Sequence, residues 1–111
     1  MKHLWMQSIH SQESELLKIL RTNRNVSVIL EELTFPKNLS WYLVGGCINQ
    51  TIWNFLTNRE WDYEIEDYDI FYWDDDLSEE KETEVQNNIQ AKYKNLNCKF
   101  DVDVWFAISS K

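Results

Sequence analysis

The chain has 111 residues but only two glycines, and the two are adjacent, at Gly45 and Gly46. Glycine alone adopts positive φ without steric cost and lets backbone approach a neighbour closely. A chain that spends both glycines at one point has one turn with special geometric needs, and the flanks say what it joins. Ser40-Trp41-Tyr42-Leu43-Val44 is aromatic and apolar, which predicts a buried strand. Residues 47–56 predict a helix with Ile48, Ile52, Phe55 and Leu56 on one side. Such a helix aims its free N–H groups and positive dipole end at the turn, and together they make a seat for phosphate. A glycine pair that only turns a tight corner is the plainer reading of this feature taken alone.

The rest of the chain supplies partners for that strand and helix. Leu16, Leu17 and Leu20, then Val28, Leu30 and Leu33, recur at helical spacing, so residues 11–33 predict two short helices broken near residues 22–25. Ser11 or Ser14 is the candidate cap of the first. Phe35-Pro36-Lys37-Asn38 predicts a turn, since Pro36 fixes its own φ and pushes Phe35 out of the helical region. A polar connection over 57–66 leads to a second strand over 65–73. A long helix follows, running to about Lys94, with Asp76 and Glu79 spaced as a capping-box variant. Residues 98–107 predict a third strand. The order describes one α/β (α+β) domain over residues 1–111: a small mixed sheet with N-terminal helices and further helices packed on it.

The second and third strands carry acids in alternation. Asp67 and Asp69 share one face of their strand, with Tyr68 and Ile70 on the other. Two carboxylates on one face of an aromatic strand are costly unless something compensates. Mg²⁺ does so naturally, taking one or two protein carboxylates and keeping its other positions for water and substrate phosphates. A solvated edge strand is the plainer alternative. In Phe100-Asp101-Val102-Asp103-Val104 the residues Phe100, Val102, Val104 and Phe106 mark the buried face, leaving Asp101 and Asp103 together on the other. Beside the Asp67–Asp69 strand, such an acid can join a metal site or accept a proton from an acceptor hydroxyl.

Composition narrows the partners. The net charge is −8, from 11 basic and 19 acidic residues, with the acids concentrated over residues 60–84. A duplex-binding surface needs a basic stripe, and none is visible, so long nucleic acid is not expected as a passive ligand. No stretch approaches the roughly 18–20 apolar residues of a membrane span, and the start, Met1-Lys2-His3, leads into a polar segment rather than a signal peptide. A cytoplasmic location is expected, with Cys47 and Cys98 as free thiols. His3 and His10 lack the spacing of a zinc site. Asp74-Asp75-Asp76 reads as a helix start rather than a calcium loop, because the glycine and distal glutamate of an EF-hand are missing. Trp53 with Gln50 and Asn54 reads as core and helix surface in preference to a base-stacking platform. Tyr72 and Trp73 are secondary candidates to flank a base.

Taken together, these features resemble the nucleotidyltransferase fold shared with DNA polymerase beta: a Gly-Gly or Gly-Ser turn, then Asp-x-Asp, then a third acidic strand. More narrowly, the run from Trp41 to Asn54 followed by Glu66-Asp67-Tyr68-Asp69-Ile70-Phe71-Tyr72-Trp73-Asp74 is similar to a bacterial nucleotidyltransferase-like family once catalogued as a domain of unknown function. The resemblance covers roughly residues 16–104. It implies that Asp67 and Asp69 hold Mg²⁺, that Gly45 and Gly46 present backbone N–H groups to the phosphates of an NTP, and that Asp101 completes the site. Asp103 is the alternative third acid. The implied reaction moves a nucleoside monophosphate to an acceptor hydroxyl of unknown identity. Two departures stand out. Asn49 sits where the family often has a basic residue, and family members usually continue past the third strand into a C-terminal half, whereas this sequence stops at Lys111. They leave a second reading open, a catalytically silent nucleotidyltransferase-like binding or assembly module, for which a homodimer is expected.

Overall fold

A computed structural model describes residues 9–106, and of Ile9 and His10 only the backbone. Among them are four α-helices and three strands: α1 (Ile9–Leu20), α2 (Arg24–Glu32), β1 (Trp41–Val44), α3 (Gly46–Leu56), β2 (Asp67–Asp74), α4 (Glu79–Lys92) and β3 (Lys99–Phe106). The strands form one sheet in the order β1-β2-β3. β1 runs antiparallel to β2, and β3 runs parallel to it. The mixed α/β architecture is the one expected. His3 and the side chain of His10 lie outside the described residues, as does Ala107, the last residue of the predicted third strand.

One face of the sheet is buried. Tyr68, Ile70 and Tyr72 of β2 alternate with its acids and are fully buried, and Phe100 and Val102 of β3 join them. Leu20, Val26, Ile29 and Leu33 of the N-terminal segment, Cys47 of α3, and Val85, Ile89 and Tyr93 of the α4 region complete the same cluster. The period of two on the strands and of three to four on the helices therefore meet on one side. Phe35 stacks on Tyr72 with centroids 4.9 Å apart. Burial pushes the Tyr72 phenol up to about 12, and its hydroxyl has no hydrogen-bond partner. Tyr72 is thus a core residue, which removes it as a secondary candidate to flank a base.

Several local expectations need correction. β1 is an edge strand, paired only with β2, and Tyr42 on it is 59% exposed. On β3, Phe106 is exposed although it shares the alternation of the buried face. On α3 the buried stripe is Cys47, Thr51 and Asn54, while Phe55 and Leu56 are exposed. Polar side chains face inward there because a polar network waits for them. Ser11 and Ser14 fall inside α1 rather than at its start. Ser78, not Asp76, caps α4: its hydroxyl accepts from the Lys81 N–H, while Asp76 accepts from the Ser78 N–H.

Two sets of side-chain hydrogen bonds hold this frame. Asn23 is fully buried and caps α2, its Oδ1 accepting from the N–H groups of Asn25 and Val26. Its Nδ2 lies 3.0 Å from both the Thr51 Oγ1 and the Tyr68 hydroxyl, tying α2 to α3 and β2. On the other side, α4 seals the outer edge of β3. Gln90 accepts from the Phe100 N–H and donates to the Cys98 carbonyl. Gln86 accepts from the Val102 N–H at 2.7 Å and donates to the Phe100 carbonyl, and Glu82 accepts from the Val104 N–H. Spaced four apart, these residues line one face of α4 and occupy backbone groups that an edge strand otherwise offers to other chains.

Asn23→Ala should cost about 2–4 kcal/mol, combining a lost cap with buried polar groups left short of partners. Chemical denaturation measures this; a loss below about 1 kcal/mol would show that the network is not a structural tie.

Candidate active site

The acids occupy the face of the sheet opposite the core. The register sets their neighbours: Val44, Asp69 and Asp101 lie side by side across the three strands, with Asp67 beside Lys99 in the row before and Phe71 beside Asp103 in the row after. Asp69 is central. Its neighbour across the parallel pairing is Asp101, and Asp103 is a full pleat further along. Of the two candidates for the third carboxylate, Asp101 is the one placed beside the Asp67–Asp69 pair.

The glycine turn closes on the same carboxylate. Gly45 has φ 85° and ψ −157°, a region essentially reserved for glycine. A Cβ built on it would lie 2.7 Å from the Asp69 Oδ2. Gly45 is therefore required twice, for its conformation and for the carboxylate packed against it. Gly46 is different: it is the first residue of α3, and a Cβ there meets nothing within 4 Å. Its open side belongs to a cleft of about 660 Å³ lined by Gly46, Cys47, Gln50, Asp67, Asp69 and the segment 63–66. A second cavity, of about 560 Å³, is lined by Arg24, Trp61, Tyr93 and others and holds neither Asp67, Asp69 nor Asp101.

That lining segment is held from behind. Asn54, fully buried, donates to the carbonyls of Trp61 (3.3 Å) and Tyr63 (2.9 Å) and accepts from Gln50 at 2.9 Å. Arg59 sits over the Tyr63 ring, 4.5 Å from its centroid. The polar connection is thus a fixed wall of the cleft. The anticipated assignment of Trp53 and Asn54 is reversed, for Trp53 is 57% exposed and Asn54 is the buried one. Only the residue types were legible; the wall that Asn54 grips comes from a segment without apolar periodicity.

Electrostatics single out Asp69. Burial raises its pKa, and the charges of Asp101, Asp67 and Asp103 and a hydrogen bond with Asp101 raise it further. Burial also raises Asp103, with Glu82 and Asp101 adding to it. The Cys47 thiol is pushed up by burial and by the Asp69 charge, against hydrogen bonds that lower it. One cation stands nearby that the sequence reading missed: Lys99 Nζ lies 3.6 Å from the Asp101 Oδ1. Its signal was the alternation Lys99, Asp101, Asp103 on one face. Asn49 is exposed on α3.

Asp69, its proton affinity raised by burial and by neighbouring acids, offers hard oxygen donors of the kind that suits Mg²⁺. Among the described residues no group of three or more His, Cys, Asp and Glu is assembled closely enough to hold a metal ion by itself. Magnesium sites commonly draw only one or two protein carboxylates and complete themselves with substrate, and Asp69 with Asp67 or Asp101 meets that need.

A family model described as Nucleotidyltransferase matches residues 30–105, which include the glycine turn and every acid of the two strands named above. The chain belongs to that family. Membership supports general nucleotidyl transfer with a nucleotide as substrate. No curated protein and no solved structure matches the chain. Among the described residues no helix is long and apolar enough to cross a membrane.

Two outcomes follow from this geometry. Gly45→Ala should destabilise the chain by about 1–3 kcal/mol through backbone strain alone, whereas Gly46→Ala should be neutral or slightly stabilising; equal effects in thermal melts would contradict the glycine assignment. Asp69 behaves oppositely to a salt-bridged carboxylate. Folding raises its pKa, so its contribution to stability is greatest below the unfolded carboxylate range and declines as pH rises through that range to the raised value. Asp69→Asn in metal-free buffer should therefore stabilise at pH 7 by about 0.5 kcal/mol, the scale of a cross-strand like-charge pair, and the gain should vanish at pH 3; destabilisation at pH 7 would contradict it.

Proposed function

We propose that this nucleotidyltransferase moves a nucleoside monophosphate from an NTP to an acceptor hydroxyl, with Mg²⁺ as cofactor. The observation that carries the reading is the alignment of Asp69 with Asp101 in one register row, with Gly45 closed against the Asp69 carboxylate. Asp67 and Asp69 hold the cation. Bound there, Mg²⁺ neutralises charge on the triphosphate and on the leaving pyrophosphate. Gly45 and Gly46 present backbone N–H groups to the phosphates, aided by the positive end of α3, an 11-residue helix. Asp101, beside Asp69 in the register, is the base for the acceptor. Its carboxylate takes the hydroxyl proton as the new oxygen–phosphorus bond forms and the bond to pyrophosphate breaks. Lys99, beside Asp67 in the register and paired with Asp101, supplies positive charge that the Asn49 position lacks.

Calorimetric titration with Mg²⁺ and a non-hydrolysable ATP analogue tests this reading. Asp67→Asn and Asp69→Asn should each weaken Mg²⁺-dependent binding at least tenfold, and unchanged affinity would contradict the cation assignment. Gly46→Ala should fold normally yet weaken the same binding, because its new methyl enters the open side of the cleft.

A further inference from the structure

Beyond the carboxylates, the same sheet face becomes an aromatic floor. Tyr42 lies opposite Phe71 across β1 and β2, and Trp73 lies beside Trp105 across β2 and β3. Phe71 stacks on Trp105 with centroids 5.2 Å apart, Tyr42 meets Trp73 edge-on at 5.1 Å, and Trp73 tilts against Trp105 at 6.3 Å. The rings brace one another, so their positions are set before anything binds. None of the four belongs to the buried core cluster, and Tyr42 and Trp105 are 59% and 51% exposed.

The floor is continuous with the acid pair. By the strand rise, Phe71 and Asp103 come about 7 Å beyond Asp69 and Asp101, and Trp73 and Trp105 about 13 Å beyond. In-line displacement places the acceptor and the leaving pyrophosphate on opposite sides of the reacting phosphorus. In the proposed reading, on which this inference rests, the phosphates sit at Gly45 and Gly46, at the end of β1. The acceptor then lies on the other side of the carboxylates, along β3, where Asp103 and Trp105 follow Asp101. Asp103 and the net charge of −8 repel phosphate from this stretch. A π face needs only another π face.

We propose that Tyr42, Phe71, Trp73 and Trp105 form the acceptor subsite, and that it takes the planar, uncharged ring of a nucleoside-like acceptor whose sugar hydroxyl reaches Asp101. The interval between the acids and Trp105 accommodates the sugar. A small acceptor, rather than a polyanionic strand, fits the charge of the face.

Adenosine is the probe, because it carries a ring and sugar hydroxyls but no phosphate and needs no Mg²⁺. Ligand-observed NMR titration of the full chain in metal-free buffer should give saturable binding, equal in wild type and Asp69→Asn. Trp105→Ala and Tyr42→Ala should each weaken it about tenfold, the scale of losing one stacking partner, and Trp105→Phe should restore most of it. Adenosine that fails to bind, or binds the alanine variants as tightly as wild type, overturns the proposal. So does a concentration-dependent dimer in sedimentation that both alanine variants abolish, since a second copy would then cover the floor. The two readings fail separately: loss of Mg²⁺–nucleotide binding in Asp69→Asn with adenosine indifferent to Trp105 sinks only the acceptor subsite. The reverse pattern sinks only the assignment of the cation.

Discussion

The Asp69 carboxylate is crowded from two sides on the sheet face opposite the core. Gly45 leaves it no room on one side, since even a methyl there would overlap Oδ2, and Asp101 adds like charge on the other. Neither contact is favourable in itself. The register of the sheet imposes both, and that register is driven by Tyr68, Ile70, Tyr72, Phe100 and Val102 on the buried face. A slip of one residue would turn those apolar side chains to solvent and the acids into the core. Hydrophobic burial on one face thus holds together a charge cluster on the other that would otherwise disperse.

Polar side chains then make the arrangement specific. Asn23 ties a helix cap to Thr51 and Tyr68, Asn54 fixes the cleft wall, and Glu82, Gln86 and Gln90 saturate the outer edge of β3. A three-stranded sheet with one open face is a small platform. Helix side chains in place of a further strand seal the β3 edge, and among the described residues the core lies on the face opposite the acids and the four rings. The face of the acids and rings is split, with acids toward the glycine turn and rings away from it.

Much of this was legible in the sequence because two periodicities were clean. The alternation expected over residues 65–73 and 98–107 put Asp67 with Asp69, and Asp101 with Asp103, on one face of their own strands, and the lone glycine pair located the turn; the parallel pairing brings the two sets side by side. What stayed illegible depended on contacts distant in the chain. Asn23, Thr51 and Asn54 look like surface residues until tertiary structure buries them together, and the Gln86–Gln90 spacing says nothing of the strand it will meet. β1 reads as a buried strand from its aromatic content, yet an edge position leaves Tyr42 outside. Alternation alone does not separate Asp101 from Asp103, because both face the same way; the resemblance favoured Asp101, and Asp101 is the one that pairs with Asp69. The family match agrees with the motif reading and reaches the class of transfer, while nucleotide and acceptor depend on the face itself.

In the proposed site Asp67 and Asp69 hold one cation beside the glycine turn, with Asp101 next to Asp69 across the pairing. A crystal structure grown with Mn²⁺ in place of Mg²⁺ and a non-hydrolysable ATP analogue tests it most directly, because anomalous scattering locates the ion independently of the protein. The expected result is a manganese peak within about 2.0–2.3 Å of an Asp69 oxygen, coordinated also by Asp67, with phosphates against the backbone of Gly45 and Gly46. A metal and nucleotide bound elsewhere, with Asp69 left uncoordinated, would contradict it.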